Sequence, residues 1–429
     1  MSLQDARDTE LQQLRHAAEG TSPEAWFRLA QALVARDQME EAHGWHLRAA
    51  EAGFAPAQIE LARMQLHGVG VAQSATQAVS WLLRAEASGH PVAAYMLALI
   101  SVGGVAAPHD GRINQRVMAA LNAGYPPALR AVAIHFGRKP DPQDQQRCLQ
   151  LLDHAASRGD WVAALLLSER LARGEGCAVN LDAANRLRGQ LQKGGILPMP
   201  ALQVPRVATS TMGSLVAAGT LALEDTLQAP EARVLSERPR VAVVDGLLSA
   251  DECRLLVATA QPMLRRSQAI DPQTGEALPM QIRTSSDASF DPLIEDLSLR
   301  LVQQRMASAA SVELTQAEHL VVLRYEPGQE YRPHRDYRPA ESLRGDVPEA
   351  GNRGRTICVY LNEPEAGGET EFPAADVKIA PQAGRAVIFD NLLEDGSPDV
   401  DSLHAGLPVL HGEKWLATLW LRQGRYRAF

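Results

Sequence analysis

The strongest constraint on this chain is a period of about 35 residues that runs through its first half. The segments EAGFAPAQIEL, ASGHPVAAYML, NAGYPPALRAV and SRGDWVAALLL align without gaps, and their glycines Gly53, Gly89, Gly124 and Gly159 are spaced by 36, 35 and 35 residues. Gly194 extends the series 35 later, and Gly20 opens it 33 earlier. Alanine stands four residues before each central glycine (Ala49, Ala85, Ala120, Ala155) and four after (Ala57, Ala93, Ala128, Ala163). Fifteen residues after lie Gly68, Gly104 and Gly174; the third repeat departs there, with Lys139 in a Pro-rich turn. Glycine ends a helix in the left-handed conformation that other residues avoid. Alanine at fixed offsets lets neighbouring helices approach closely. The period therefore predicts helical hairpins that cannot bury their apolar faces alone and stack into a solenoid with a concave surface.

The pattern resembles the Sel-one-like repeat, a relative of the tetratricopeptide repeat, over roughly residues 18–195. That resemblance implies protein–protein interaction, with a protein or peptide substrate as the expected partner. His16, His43, His46, His67, His90, His109, His135 and His154 all fall in the array. His43 and His46 stand three apart on a predicted helix, but nothing nearby completes a metal ligand set, so they are expected at the surface. Residues 196–239, interrupted by Pro198, Pro200, Pro205, Pro230 and Pro239, read as a connector with a helix over 213–228. A structureless stretch this long is unusual, so it is expected to pack against one domain.

A length of 429 residues predicts two or three domains. The boundaries are drawn at 1–195 for the solenoid, 196–239 for the connector and 240–429 for a second domain. The formal charge of −9 argues against a nucleic-acid partner, which needs a basic footprint. The opening MSLQDARDTE lacks a charged-then-apolar leader pattern, and no apolar run is long enough to span a bilayer. Cys148, Cys177, Cys253 and Cys358 form no CxxC pair. The expectation is a cytoplasmic protein without membrane attachment, disulfide framework or zinc site.

The second half carries chemistry. Val241 to Val244 reads as a strand, and Ser249 with Glu252 forms a capping box opening a helix to about residue 262. A second helix is expected over 291–310. Short strands follow over 319–325, 355–362, 369–372, 376–380, 385–390 and 414–422, which predicts helices packed on a double-stranded β-helix, or jelly-roll. The whole is thus multidomain, an all-α repeat solenoid followed by this barrel. YRPHRDY places His334 and Asp336 two apart, on one face of an extended segment. An imidazole and a carboxylate are two-thirds of a facial triad. The third ligand comes from elsewhere: His404 lies 70 residues after His334, and His411 and His319 are rivals. Two histidines and a carboxylate leave three adjacent positions on iron, enough for a 2-oxo acid and dioxygen. On the last strand Lys414, Leu416, Thr418 and Trp420 share a face, so the lysine points inward. A buried ammonium needs a partner, which the distal carboxylate of 2-oxoglutarate would supply. Thr356, Cys358 and Tyr360 share a face of RTICVYLN, and Tyr325 closes an earlier strand; the tyrosines and the threonine could hydrogen-bond the cosubstrate.

RYEPGQEYRPHRD, RTICVYLNEPEAGGETEFP and SLHAGLPVLHGEKWLATLWLR, in that order and spacing, resemble the prolyl 4-hydroxylase family over roughly residues 240–429. The resemblance implies that His334, Asp336 and His404 bind iron(II) and that Lys414 anchors 2-oxoglutarate. It implies Tyr325, Thr356 and Tyr360 beside the cosubstrate, Trp420 against the site and Arg283 of QIRTSS near a peptide substrate. The implied cofactors are iron(II), 2-oxoglutarate and dioxygen, with ascorbate as a candidate reductant. The implied reaction couples decarboxylation of 2-oxoglutarate to hydroxylation of a peptidyl residue, proline being the family default. Alternatives on the same residues are a hydroxylase of a free amino acid or small metabolite, and a non-catalytic solenoid scaffold with a vestigial barrel. The stretch 338–354, rich in Gly, Pro and charge, is expected to be a lid over a peptide.

Overall fold

The computed structural model describes residues 3–104, 107, 110–206, 221–270, 277–279, 282–339, 343 and 347–429, with 3–7, 269–270 and 277–279 as backbone alone. His109 and the first half of the helix expected over 213–228 lie outside the described residues, and 223–227 form a 3-10 turn. The chain divides into two compact units, one of residues 1–125 with Ala428–Phe429, the other of residues 126–427.

In the first unit helices Leu3–Ala18, Pro23–Val34, Met39–Glu51, Ala55–His67, Ala75–Ala87, Pro91–Ser101 and Ile113–Asn122 follow one another. Ser22 and Ser74 cap their helices by accepting the backbone N–H three residues on, and proline occupies the first turn after Ser22 and His90. Gly53, Gly89 and Gly124 take the left-handed conformation the period required. Ala49, Ala57, Ala85, Ala93 and Ala120 are fully buried, as close helix contact demands. Phe429 is buried in this unit's core with Ile59, Leu66, Leu97 and Ile100. His46 is a correction. It is buried against Phe27, at 5.4 Å between rings, and burial together with His43 pushes its imidazole down to about 4. A neutral ring can fill an apolar gap between helices, which is why this histidine is not at the surface.

The second unit starts with helices Pro126–Gly137, Pro142–Ser157, Trp161–Arg173 and Leu181–Lys193. Gly159 is left-handed, whereas at the end of the array Gly195 takes that conformation and Gly194 does not. These hairpins are fastened to helices Ala250–Ala260 and Leu297–Ala309 by buried ion pairs. Arg170 Nε donates to Asp251 Oδ2 at 2.9 Å, and Arg254 donates to both oxygens of Glu175 at 2.6 and 2.8 Å. Arg138 and Arg305 converge on Glu252, and Arg130 joins Asp160 to Asp296. Part of the connector is pinned to the same unit: Leu202 and Val204 are buried, and the Gln203 carbonyl accepts from the Glu363 N–H at 3.0 Å.

An eight-stranded antiparallel sheet runs in the order Arg233–Glu237, Arg240–Val244, Ala386–Asp390, Arg353–Tyr360, Lys414–Arg422, Val321–Tyr325, Ser286–Ser289, Arg265–Arg266. A four-stranded sheet runs Val377–Ile379, Thr370–Phe372, His404–Gly406, Tyr331–His334. Their inner faces share one apolar core, with Val243, Leu323, Val387, Phe389 and Leu416 of the larger sheet against Phe372 and Ile379 of the smaller. This is the jelly-roll read from the strand spacing. The capping box of Ser249 and Glu252 is present at Ala250–Ala260. The short strands at 331–334, 404–406 and 409–411 carried no alternation long enough to read in sequence.

Candidate active site

Register brings the separated motifs together. Tyr331–His334 and His404–Gly406 pair antiparallel with His334 opposite His404, which closes a 70-residue separation in one step. The imidazole rings lie 4.2 Å apart between centroids. Asp336 follows the first strand, with Oδ1 3.5 Å from His334 Nε2 and Oδ2 3.9 Å from His404 Nε2. One ligand atom from each of the three lies within 4.8 Å of the others, and they are the one such cluster among the described residues able to hold a metal ion. His411 is exposed on a different strand, and His319 packs on Tyr426 at 6.1 Å.

The ligand atoms are oriented from behind. Nδ1 of His334 lies 2.9 Å from the Arg332 carbonyl, and Nδ1 of His404 lies 2.9 Å from the Ser402 carbonyl. An Nδ1–H donating to each carbonyl leaves both Nε2 lone pairs facing Asp336. Burial, opposed by the Asp336 carboxylate and aided by His334, pushes the His404 imidazole down to about 4, so it is neutral at pH 7. Burial opposes ionisation of Asp336, but His334, His404 and Arg353 override it and hold the carboxyl well below the usual range. Two imidazoles and one carboxylate are a donor set suited to a divalent metal.

Thr356 occupies a place the sequence did not specify. Its hydroxyl donates to Asp336 Oδ2 at 2.8 Å and accepts from Asn391 Nδ2 at 2.9 Å, so it sits behind the carboxylate. Tyr360 donates to the Ile379 carbonyl at 3.1 Å and lies 2.5 Å from Thr370 Oγ1. Tyr360 and Tyr325 turn their rings to Lys414, with centroids 5.3 and 5.2 Å from its Nζ. Lys414 is 2% exposed, and no carboxylate or hydrogen-bond acceptor pairs its ammonium among the described residues. Burial accordingly pushes it down to about 8, against the opposing pull of Cys358 and Glu369. Its stem lies across Gly368, where a Cβ would stand 3.0 Å from Lys414 Cδ. Cys358 Sγ and Thr418 Oγ1, 3.5 Å apart, complete this floor.

Trp420 pairs with Thr356 in register and lies under the Arg353 guanidinium at 4.0 Å. Arg353 also donates to both oxygens of Glu318 at 2.7 Å and reaches the Asp336 carbonyl at 3.4 Å. Arg283 bridges to Tyr331, whose ring stacks on His334 at 3.3 Å. Its Nη2 donates to Asp287 at 2.7 Å, and its buried Nε has no partner among the described residues. Of the expected lid, residues 340–342 and 344–346 lie outside the described residues. Its flanks are clasped by Asn352, which accepts from the Arg338 N–H at 2.8 Å and donates to the Arg338 carbonyl at 2.9 Å. Sequence reasoning missed Arg353 and Asn391, because one points off a strand end and the other follows the end of Ala386–Asp390.

Residues 320–422 match the family model of the 2OG-Fe(II) oxygenase superfamily, and residues 26–54, 55–90 and 126–160 match that of the Sel1 repeat. Probable prolyl 4-hydroxylase 3 of Arabidopsis thaliana is 34% identical over 213 residues, which span 45% of this chain and 73% of that protein. This chain belongs to the prolyl 4-hydroxylase family. Prolyl 4-hydroxylase 1 of the same plant is 36% identical over 204 residues, 44% of this chain and 71% of that one. Among solved structures, the viral collagen prolyl hydroxylase of Paramecium Bursaria Chlorella virus-1 in its 2OG complex is 30% identical, covering 42% of this chain and 95% of its own, with a TM-score of 0.34. A Sel1 repeat protein from Oxalobacter formigenes is 25% identical over 41% of this chain and 72% of its own, with a TM-score of 0.35. As a prolyl 4-hydroxylase family member, the protein is a 2-oxoglutarate-dependent dioxygenase, and the family implies iron(II), 2-oxoglutarate and dioxygen. No helix among the described residues is long and apolar enough to cross a membrane.

Proposed function

We propose that the protein hydroxylates a peptidyl proline in a protein substrate, with His334, Asp336 and His404 holding iron(II) and Lys414 binding the distal carboxylate of 2-oxoglutarate. The observation that carries this reading is the oriented donor set together with a buried lysine that has no hydrogen-bonded partner among the described residues. Bound iron supplies activation of dioxygen; the chain's own residues ligate, orient and exclude water. Lys414 gives the cosubstrate one fixed charge, and the Tyr325 and Tyr360 rings confine it laterally. Thr356 and Arg353 hold Asp336 from its carboxylate and its backbone. Arg283 and Tyr331, beside His334, line the side from which a peptide approaches. The names of the curated relatives support proline as the target residue. The repeats are assigned recruitment of the substrate protein, and the site of action is the cytoplasm.

The test is succinate formation together with a mass increase of one oxygen on proline-containing peptides, in the presence of iron(II) and 2-oxoglutarate. His334→Ala, Asp336→Ala and His404→Ala should each abolish both signals. His411→Ala should retain them. Loss of activity in His411→Ala with retention in His404→Ala would overturn the ligand assignment. Succinate without oxygen transfer to any proline peptide, but with transfer to a free amino acid, would move the reading to a small-molecule hydroxylase.

A further inference from the structure

Asn391 is fully buried, one residue past the strand Ala386–Asp390. Its backbone is held on both sides: its N–H donates to the Gly354 carbonyl at 2.9 Å, and its carbonyl accepts from the Asp399 N–H at 3.0 Å. Its side chain makes one polar contact, from Nδ2 to Thr356 Oγ1 at 2.9 Å, and its Oδ1 is buried with no partner among the described residues. A buried amide oxygen left unsatisfied is unfavourable, so an apolar residue of the same size would be the more stable choice here. Among the described residues the N–H is the one polar group of the side chain with a partner, and that partner is Thr356.

A threonine hydroxyl has one proton and can rotate it freely. With Asn391 donating to Oγ1, that proton is directed to the remaining neighbour, Asp336 Oδ2, at 2.8 Å. The opposite amide orientation would put Oδ1 against Oγ1 and draw the proton away from Asp336. Oδ2 thereby carries a hydrogen-bond donor on one of its lone pairs, which weakens it as a cation ligand relative to Oδ1, the oxygen 3.5 Å from His334 Nε2. A carboxylate that bound through both oxygens would fill a metal position that a 2-oxo acid or dioxygen needs.

We propose that Asn391 is a positioning residue for the oxygenase reaction, acting through Thr356 to keep Asp336 a ligand through one oxygen. The inference rests on the reading of Asp336 as a metal ligand. Partners behind a ligand typically change metal affinity by about 10- to 100-fold. The probe is cobalt(II), titrated anaerobically into the full chain, with its affinity and visible d–d absorption as readouts and 2-oxoglutarate KM and kcat measured separately with iron(II). Asn391→Leu removes the donor and the orphan oxygen together, and Asn391→Asp keeps the shape without the N–H; should one fail to fold, the other carries the test. Either variant, and Thr356→Val, should weaken cobalt binding about tenfold or more and alter the absorption band. Thr356→Ser should keep the wild-type band. A double variant, of Thr356→Val with whichever Asn391 change folds, should be no worse than Thr356→Val alone, because both changes cut one path. Wild-type affinity and band in the folded Asn391 variant, or additive losses in the double variant, would overturn the proposal. Asp336→Ala with an unchanged band would instead overturn the ligand reading beneath it, so the two failures are distinguishable.

Discussion

Lys414 shows how a single residue can be unfavourable for folding and necessary for binding. Its ammonium is buried beside two tyrosine rings with no carboxylate paired to it among the described residues, and its value falls from 10.5 to about 8. Because the folded value is the lower one, the folded protein binds fewer protons than the unfolded chain between those limits. The penalty is therefore fully present below about 8 and is relieved as pH rises toward 10.5. Lys414→Met should raise the stability of the metal-free protein at pH 7, by about 3 kcal/mol. The advantage should shrink as pH is raised toward 10. The same substitution should weaken 2-oxoglutarate binding by about 2–5 kcal/mol while leaving metal affinity unchanged. Calorimetry adds a sign test: binding to wild type above pH 8 should take up protons, as the amine recharges against the carboxylate. Release of protons, or unaltered binding by Lys414→Met, would place the anchor elsewhere.

At the scale of elements, the hairpins of residues 126–193 belong energetically to the oxygenase. Arg170, Asp251, Glu175 and Arg254 form a chain of buried charges, and Asp251 accepts from both arginines. Removing one partner of such a network leaves an uncompensated buried charge, at about 3–5 kcal/mol. Arg170→Met and Arg254→Met should each lower stability by that order in denaturant titrations, more than surface substitutions do. Deleting residues 1–195 strips Arg138 and Arg170 from Glu252 and Asp251, and should yield insoluble or inactive protein. A soluble 196–429 fragment with full turnover of 2-oxoglutarate would show that these ion pairs are dispensable. The domain boundary read at 195 follows the repeat period; the packing boundary at Tyr125 follows where contacts concentrate.

For the whole molecule, the testable consequence of joining repeats to an oxygenase is recruitment. A tethered binding unit raises the local substrate concentration, commonly into the millimolar range for short linkers. Under that proposal, a chain of residues 126–427 should keep 2-oxoglutarate turnover on short proline peptides and lose most modification of the native protein target. Equal modification of the full-length target by the shortened and complete chains would assign the first repeats a role other than recruitment.

The order of motifs in the last 190 residues was enough to read the jelly-roll, the His334–Asp336 pair and the inward lysine, because a strand's alternation of two is a local property. The repeat period likewise determined the left-handed Gly53, Gly89, Gly124 and Gly159 and the buried alanines, though not Gly194, since each depends on one turn or one helix contact. Distant pairings were beyond local reading. That His404 rather than His411 meets His334 depends on antiparallel register between two strands of a few residues each. That Thr356 faces Asp336, with Asn391 behind it, depends on which strand end abuts which. The allegiance of the last hairpins to the barrel depends on buried arginines, whose partners lie 79 and 81 residues away. Alternation and period act along the chain and are written in it; charge pairing and register act across space, and only the folded chain brings those groups within reach.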